Sequence, residues 1–170
     1  MSSIDANSQS RSFLPAISVS TLMLILFSGA LGTMAFDIFG KVISPLAGFG
    51  GLSPVGLARG FLGAVGLPKS AAYGNLMHLF LVGMIAYPVG WLFIARPLFE
   101  KFMPALPWII GATVYGIGLW VFAIGGITVI AGMKSFLGFT TITWVSLVGH
   151  IIFGIVAAAT VVYLEKLQNR

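Results

Sequence analysis

The sequence contains no cysteine and very little charge. The absence of cysteine among its 170 residues excludes disulfides, thiolate metal sites, iron–sulfur clusters and cysteine nucleophiles. Charged residues make up 8% of the chain, whereas soluble proteins average about 25%. Only four residues are acidic. So few charged side chains cannot cover the surface of a soluble fold, which excludes a soluble enzyme.

Apolar residues are what the sequence has in abundance. They make up 58% of the chain, and the mean hydropathy is +1.05. This composition also excludes a disordered chain, because disorder requires low hydrophobicity. The formal net charge is +5, but the nine basic residues are scattered singly and form no patch for nucleic acid. Single basic residues flanking apolar segments are typical of a membrane protein.

Four long stretches without a charged residue divide the chain. They contain 25, 26, 32 and 30 residues and lie between Arg11 and Asp37, Lys69 and Arg96, Lys101 and Lys134, and Lys134 and Glu165. Because a helix of about 20 residues crosses the hydrocarbon core, each stretch is long enough to span a bilayer. The sequence therefore predicts an all-α integral membrane protein with four transmembrane helices, at approximately 14–38, 72–95, 106–132 and 140–164.

These helices predict one transmembrane domain over 14–166, between polar tails at 1–13 and 167–170. An even number of spans places both tails on the same side of the membrane. Five basic residues lie on that side and four on the other, and the excess favours termini in the cytoplasm. We expect a bacterial inner membrane or an equivalent organellar membrane, with lipid as the first partner.

Prolines and one polar pair indicate where the later helices end. The stretch from Arg96-Pro97 to Pro107 is predicted to separate the second helix from the third, because proline removes a donor and restricts its predecessor. Lys134-Ser135 predicts a tight turn between the third and fourth helices.

The connection at 39–71 is too long and too apolar for a solvated loop. Ser53-Pro54 is typical of a cap followed by a first-turn proline, and Gly66 can end a short helix at about 54–65. We expect this helix to be interfacial or re-entrant, with Arg59 among headgroups and Leu57 and Phe61 in contact with lipid or a partner.

Three ionisable residues fall within or beside the predicted spans: Asp37, His78 and His150. The predicted topology places all three near one side of the membrane, and the two histidines at similar depth. Ionisable residues inside a membrane are functional candidates by default. The two histidines are candidate ligands of haem b or another tetrapyrrole, and Asp37 is a candidate proton site beside them.

Two further interpretations of these residues stay open. Two histidines and one carboxylate can bind a metal ion. Each histidine can instead donate a structural hydrogen bond to a backbone carbonyl or to a hydroxyl such as that of Ser146 or Thr143. The structural interpretation is favoured, since no histidine lies four residues from another and no glutamate accompanies either.

No catalytic motif is present, and the hydrophilic segments are too small to bind soluble substrates, so we expect a protein that is not an enzyme. The sequence favours a non-catalytic accessory subunit of a larger integral membrane complex, photosynthetic or respiratory, with other membrane subunits as partners. The alternatives are a small haem b electron carrier ligated by His78 and His150, and a proton-coupled transporter centred on Asp37.

Overall fold

The structure is a computed structural model that describes residues 14–168. All regular secondary structure in this range is helical, and four helices are long and apolar enough to span a membrane, which confirms the predicted fold class. A fifth, shorter helix lies in the long connection, as predicted. The predicted tail at 1–13 lies outside the described residues. In chain order the helices are α1 Val19–Leu46, α2 Pro54–Ala64, α3 Ala71–Phe102, α4 Trp108–Ile130 and α5 Thr141–Gln168.

Helix α1 begins later and ends later than predicted. The side-chain oxygen of Ser18 accepts a hydrogen bond from the backbone nitrogen of Thr21 at 3.1 Å, and this cap fixes the start of the helix. Beyond position 38 the helix continues because Lys41 lies one turn after Asp37, and its Nζ binds the carboxylate at 2.7 Å. The pairing keeps both charged residues inside the helix.

The predicted break of α3 at Arg96-Pro97 is wrong. Pro97 is buried inside the helix, which the chain leaves only after Phe102. The turn before it, Trp91–Ala95, has π-helical hydrogen bonding, a wider pattern that tolerates a residue without a backbone donor. The prolines that separate α3 from α4 are therefore Pro104 and Pro107.

Helix α5 lies between α1 and α4 and packs closely on both. Glycine makes the contact with α4 possible. A Cβ atom on Gly116 would lie 2.5 Å from the carbonyl oxygen of His150, and one on Gly154 would lie 2.5 Å from that of Ala112. Small residues allow helix backbones to approach within lipid, where packing drives association.

Glycine also allows α1 to approach α3 and α5 closely. A Cβ on Gly29 would lie 2.5 Å from the Cα atom of Met84 in α3. Gly149 of α5 faces the ring of Phe36, to which an added Cβ would come within 2.9 Å. The four helices are thus joined in the order α3, α1, α5, α4.

At one end of the bundle α3 also meets α4 and α5. The hydroxyl of Tyr115 in α4 donates to the backbone carbonyl of Tyr87 in α3. Arg96 binds Glu165 of α5 at 2.6 Å and Glu100 at 2.8 Å. These contacts close the ring of helices at the end that carries the C-terminus of α5.

At the opposite end helix α2 lies across the gap between α3 and α4. Val55 and Arg59 of α2 lie against Gly74 in the first turn of α3, and Gly60 lies against Ala131, just after α4. Between the first half of α3 and the second half of α4 the bundle holds a cavity.

The connection between α4 and α5 is longer than the predicted tight turn. Residues Ser135–Phe139 form a left-handed turn in which Phe136, Leu137 and Phe139 have φ angles of 48°, 51° and 56°. Such values are costly for residues other than glycine and persist only where the surroundings hold them. Here Thr143 Oγ1 donates to the carbonyl of Phe136 at 2.5 Å, and the Phe136 ring packs 4.8 Å from that of Trp120.

The glycine contacts give a first testable prediction. We expect Gly116→Ala to lower the free energy of unfolding by about 1–3 kcal/mol, because its Cβ would force α5 away from α4. Gly118→Ala is the matched control on the same helix, since its Cβ meets nothing within 4 Å. It should leave stability unchanged or raise it by up to about 1 kcal/mol. Unfolding of the purified protein in detergent, followed by circular dichroism, measures both, and equal losses would contradict the packing described.

Candidate functional site

The cavity between α3 and α4 has a volume of about 550 Å³ and touches all five helices. This size is within the range of small-molecule pockets, about 300–1,000 Å³. Its wall is largely apolar, and α2 covers the end that faces away from the Tyr87–Tyr115 contact. The polar side chains among its lining residues are those of Thr33, Ser53, His78, Tyr87, Ser146 and His150.

His150 is buried, with 5% of its surface exposed, and its tautomer follows from its partner. Its Nδ1 lies 2.7 Å from the backbone carbonyl oxygen of Ser146. A carbonyl oxygen only accepts, so Nδ1 carries the proton and donates. The other nitrogen, Nε2, then presents a lone pair and has no hydrogen-bond partner among the described residues. The expected partner Ser146 is therefore engaged mainly through its backbone, whereas Thr143 binds elsewhere.

His78 also has a fixed partner on one nitrogen. Its Nε2 lies 3.0 Å from Oδ1 of Asp37, and Oδ2 of the same carboxylate accepts from Lys41 Nζ at 2.7 Å. The carboxylate is an acceptor, so Nε2 of His78 donates and Nδ1 is the nitrogen left over. A chain of polar groups thus leads from the exposed Lys41 to the cavity wall.

The structure brings the three predicted site residues together, because Asp37 binds His78 and both histidines lie beside one ring, that of Phe36. The centroid of Phe36 lies 6.0 Å from that of His78 and 5.1 Å from that of His150. Tyr87 lies on the other side of His150, at 6.3 Å. Phe36 and Tyr87 were not predicted as site residues, because an aromatic residue within an apolar run carries no signal of its own.

Thr33 adds a polar atom that sequence reasoning also missed. Its hydroxyl oxygen is buried and has no hydrogen-bond partner among the described residues. The residue lines the cavity on α1, one turn before Phe36. A buried hydroxyl without a partner costs free energy in an apolar environment. Its oxygen packs against Gly83 of α3 and is covered by the protein.

Two of the three residues predicted to contact lipid or a partner line the cavity. Leu57 and Phe61 are half-buried on the wall formed by α2. Arg59 is exposed, and its Nε donates to the backbone carbonyl of Lys69 at 2.8 Å. The chain itself therefore covers part of the apolar face of α2. A docking role for these residues stays a prediction.

The donor groups of the cavity limit what it can bind. Residues 14–168 contain no group of three or more histidine, aspartate or glutamate side chains that could hold a metal ion. The cavity offers two imidazole side chains in a largely apolar wall, and these can hold the polar part of an otherwise apolar molecule. The proton site at Asp37 stays a prediction, and both carboxylate oxygens are hydrogen-bonded.

Comparison with known proteins adds no relative: no family model, no curated protein and no solved structure matches the chain.

The Asp37–His78 hydrogen bond gives a second prediction. We expect a double-mutant cycle of Asp37→Ala and His78→Ala to yield a coupling free energy of about 0.6 kcal/mol, and up to about 1.7, the range measured inside membrane proteins. The control cycle pairs Asp37→Ala with Thr160→Ala, since Thr160 binds only its own helix, at the carbonyl of Val156. That cycle should be additive within about 0.3–0.5 kcal/mol. Unfolding in detergent measures both, and additivity in the first would contradict the bond.

Proposed function

We propose that this integral membrane protein binds a lipid-soluble small molecule in the cavity, with the polar part of that molecule at His78 and His150. The observation that carries the proposal is the buried side chain of His150, which lines the cavity and whose Nε2 has no hydrogen-bond partner among the described residues. Intramembrane polar groups are expensive and almost always face a partner or a functional cavity.

The energetics of burial support a bound molecule. Leaving a polar group without a hydrogen bond in an apolar environment costs roughly 1–3 kcal/mol on the scale of protein mutations. Nε2 of His150 has no hydrogen-bond partner among the described residues. A molecule with one polar end can bond this nitrogen and fill the apolar remainder of the cavity.

The location of the cavity supports entry from the bilayer. Most of its lining belongs to the four spanning helices and to α2, and the rest to the connections beside α2 and before α5. A molecule bound there would contact the spanning segments. Pockets of this kind are mostly apolar, with a few placed polar groups that fix orientation. The residues that line the cavity match that pattern. They do not match a water-filled path, because such a path needs polar groups along its length.

A cavity-filling variant tests the proposal. Val82 lines the cavity, whereas its neighbour Leu81 is 46% exposed on the outside of α3. We expect the wild-type protein, extracted gently from its source membrane, to carry a non-phospholipid molecule detectable by native mass spectrometry. Val82→Trp should lose this molecule because the indole occupies its space, and Leu81→Trp should retain it.

Three outcomes would contradict the proposal. They are a wild-type protein that carries no small molecule, a bound fraction made only of bulk membrane phospholipid, and equal occupancy of the two tryptophan variants. Matching circular dichroism spectra of the variants serve as the folding control.

The predicted role as an accessory subunit of a larger membrane complex is a second proposal. Gly118 and Gly126 of α4 support this role, because both are exposed on the surface of the helix. A Cβ atom added to either glycine would find no other part of the protein within 4 Å. Gly116 of the same helix, by contrast, already packs against the backbone of α5. Exposed glycines on a spanning helix allow another helix to approach closely.

The accessory role predicts that Gly118→Leu with Gly126→Leu removes a co-migrating membrane subunit from the native complex. Val121→Leu, a change at another exposed position of α4, is the control and should leave the complex intact. Native gel migration of gently extracted protein measures both. A wild-type protein that migrates alone would contradict the role.

A further inference from the structure

The two histidines of the cavity are not equivalent. His150 donates through Nδ1 to a main-chain carbonyl at 2.7 Å, which fixes its ring and leaves Nε2 toward the cavity. Histidines that bind metals commonly hold one ring nitrogen in this way, because the bond sets the tautomer and orients the lone pair. His150 is therefore preorganised as a ligand through Nε2.

His78 offers a less accessible atom. Its Nε2 is occupied by Asp37 at 3.0 Å, so only Nδ1 is left. Nδ1 lies next to the ring carbon that carries the side-chain stem, and a bulky ligand that approaches it meets the helix backbone. His78 is thus suited to a hydrogen bond beside a bound molecule rather than to coordination of a large one.

A bare metal ion does not fit this donor set. Beyond the two histidines, the lining residues supply no carboxylate or thiolate, and residues 14–168 hold no group of three or more metal-binding side chains. A metal that uses His150 must therefore bring its other ligands with it. A tetrapyrrole does so with four nitrogens, and its flat apolar body suits a largely apolar cavity of about 550 Å³.

We infer that the cavity takes a metal tetrapyrrole of the iron-porphyrin class, with Nε2 of His150 as its protein ligand. The assignment rests on the proposed function and names the class of molecule that the site holds. It replaces the expectation of two equivalent axial histidines with one ligand, His150, and one neighbouring hydrogen-bonding residue, His78. Neutral imidazole is a common axial ligand of porphyrin iron.

The experiment compares two ligands that differ only in the metal. Purified full-length protein in detergent is titrated with iron protoporphyrin IX and with metal-free protoporphyrin IX. We expect the iron form to bind with a shifted Soret band. His150→Ala should weaken its binding by at least about tenfold, the low end of the loss caused by removing even an outer partner of a metal ligand, and should leave binding of the metal-free form unchanged.

Two further measurements make the assignment specific. Free imidazole should restore the Soret band of His150→Ala, because it enters the space left by the side chain. His78→Ala should retain an iron-porphyrin band. If His150→Ala does not fold, His150→Gln replaces it, since its amide can still donate to the carbonyl of Ser146 while it offers no imidazole.

The outcomes separate this inference from the proposed function. Equal loss of both porphyrins in His150→Ala, or loss of the band in His78→Ala, would overturn the ligand assignment. If iron porphyrin does not bind while Val82→Trp still expels another small molecule, the tetrapyrrole inference is wrong and the proposed function stands. If no molecule binds in the cavity, both are wrong.

Discussion

The close approach of α5 to α4 and α1 is the constraint on which the rest of the structure depends. Gly116 and Gly154 let the backbones of α4 and α5 meet, and Gly149 accommodates the ring of Phe36 on α1. In hydrocarbon no hydrophobic force holds helices together, so these contacts supply the packing. Because α5 packs on α1 and α4, and α1 packs on α3, the helices α3 and α4 stand at the two ends of this row and face each other. They meet at the Tyr87–Tyr115 hydrogen bond and leave the cavity beyond that point.

The same packing places the polar groups of the site. His150 lies one residue after Gly149, on the stretch of α5 that α1 and α4 clamp, so its ring is buried and its partner is its own helix. His78 lies opposite on α3, where Asp37 of α1 reaches it. Phe36 contacts both imidazoles. The site is therefore a consequence of how three spanning helices meet.

The sequence predicted the helices well because hydrocarbon imposes a simple rule. A chain without charge over 25 or more residues must satisfy its backbone internally, and only a helix does so within one segment. The rule does not fix the ends. Asp37 and Lys41 neutralise each other inside α1, and a π-helical turn accommodates Pro97 in α3. Both effects depend on neighbours that a hydropathy pattern does not contain.

The site was predictable only in part. Intramembrane charge singled out Asp37, His78 and His150, and the topology correctly placed them at one end. The cavity was not predictable, since it arises from the separation of α3 and α4 and from the position of α2. Phe36 and Thr33 carry no polarity signal beyond that of any apolar helix. The sequence does not show that α2 lies across a gap, so it could not place Leu57 and Phe61 on the cavity wall.

An experimental density map of the protein extracted from its source membrane tests the central claim most directly. The account predicts density for a compact molecule in the cavity, in contact with Nε2 of His150 and distinct from the surrounding lipid. A cavity filled by the chain's own side chains, or by a single acyl chain continuous with the bilayer, would contradict it.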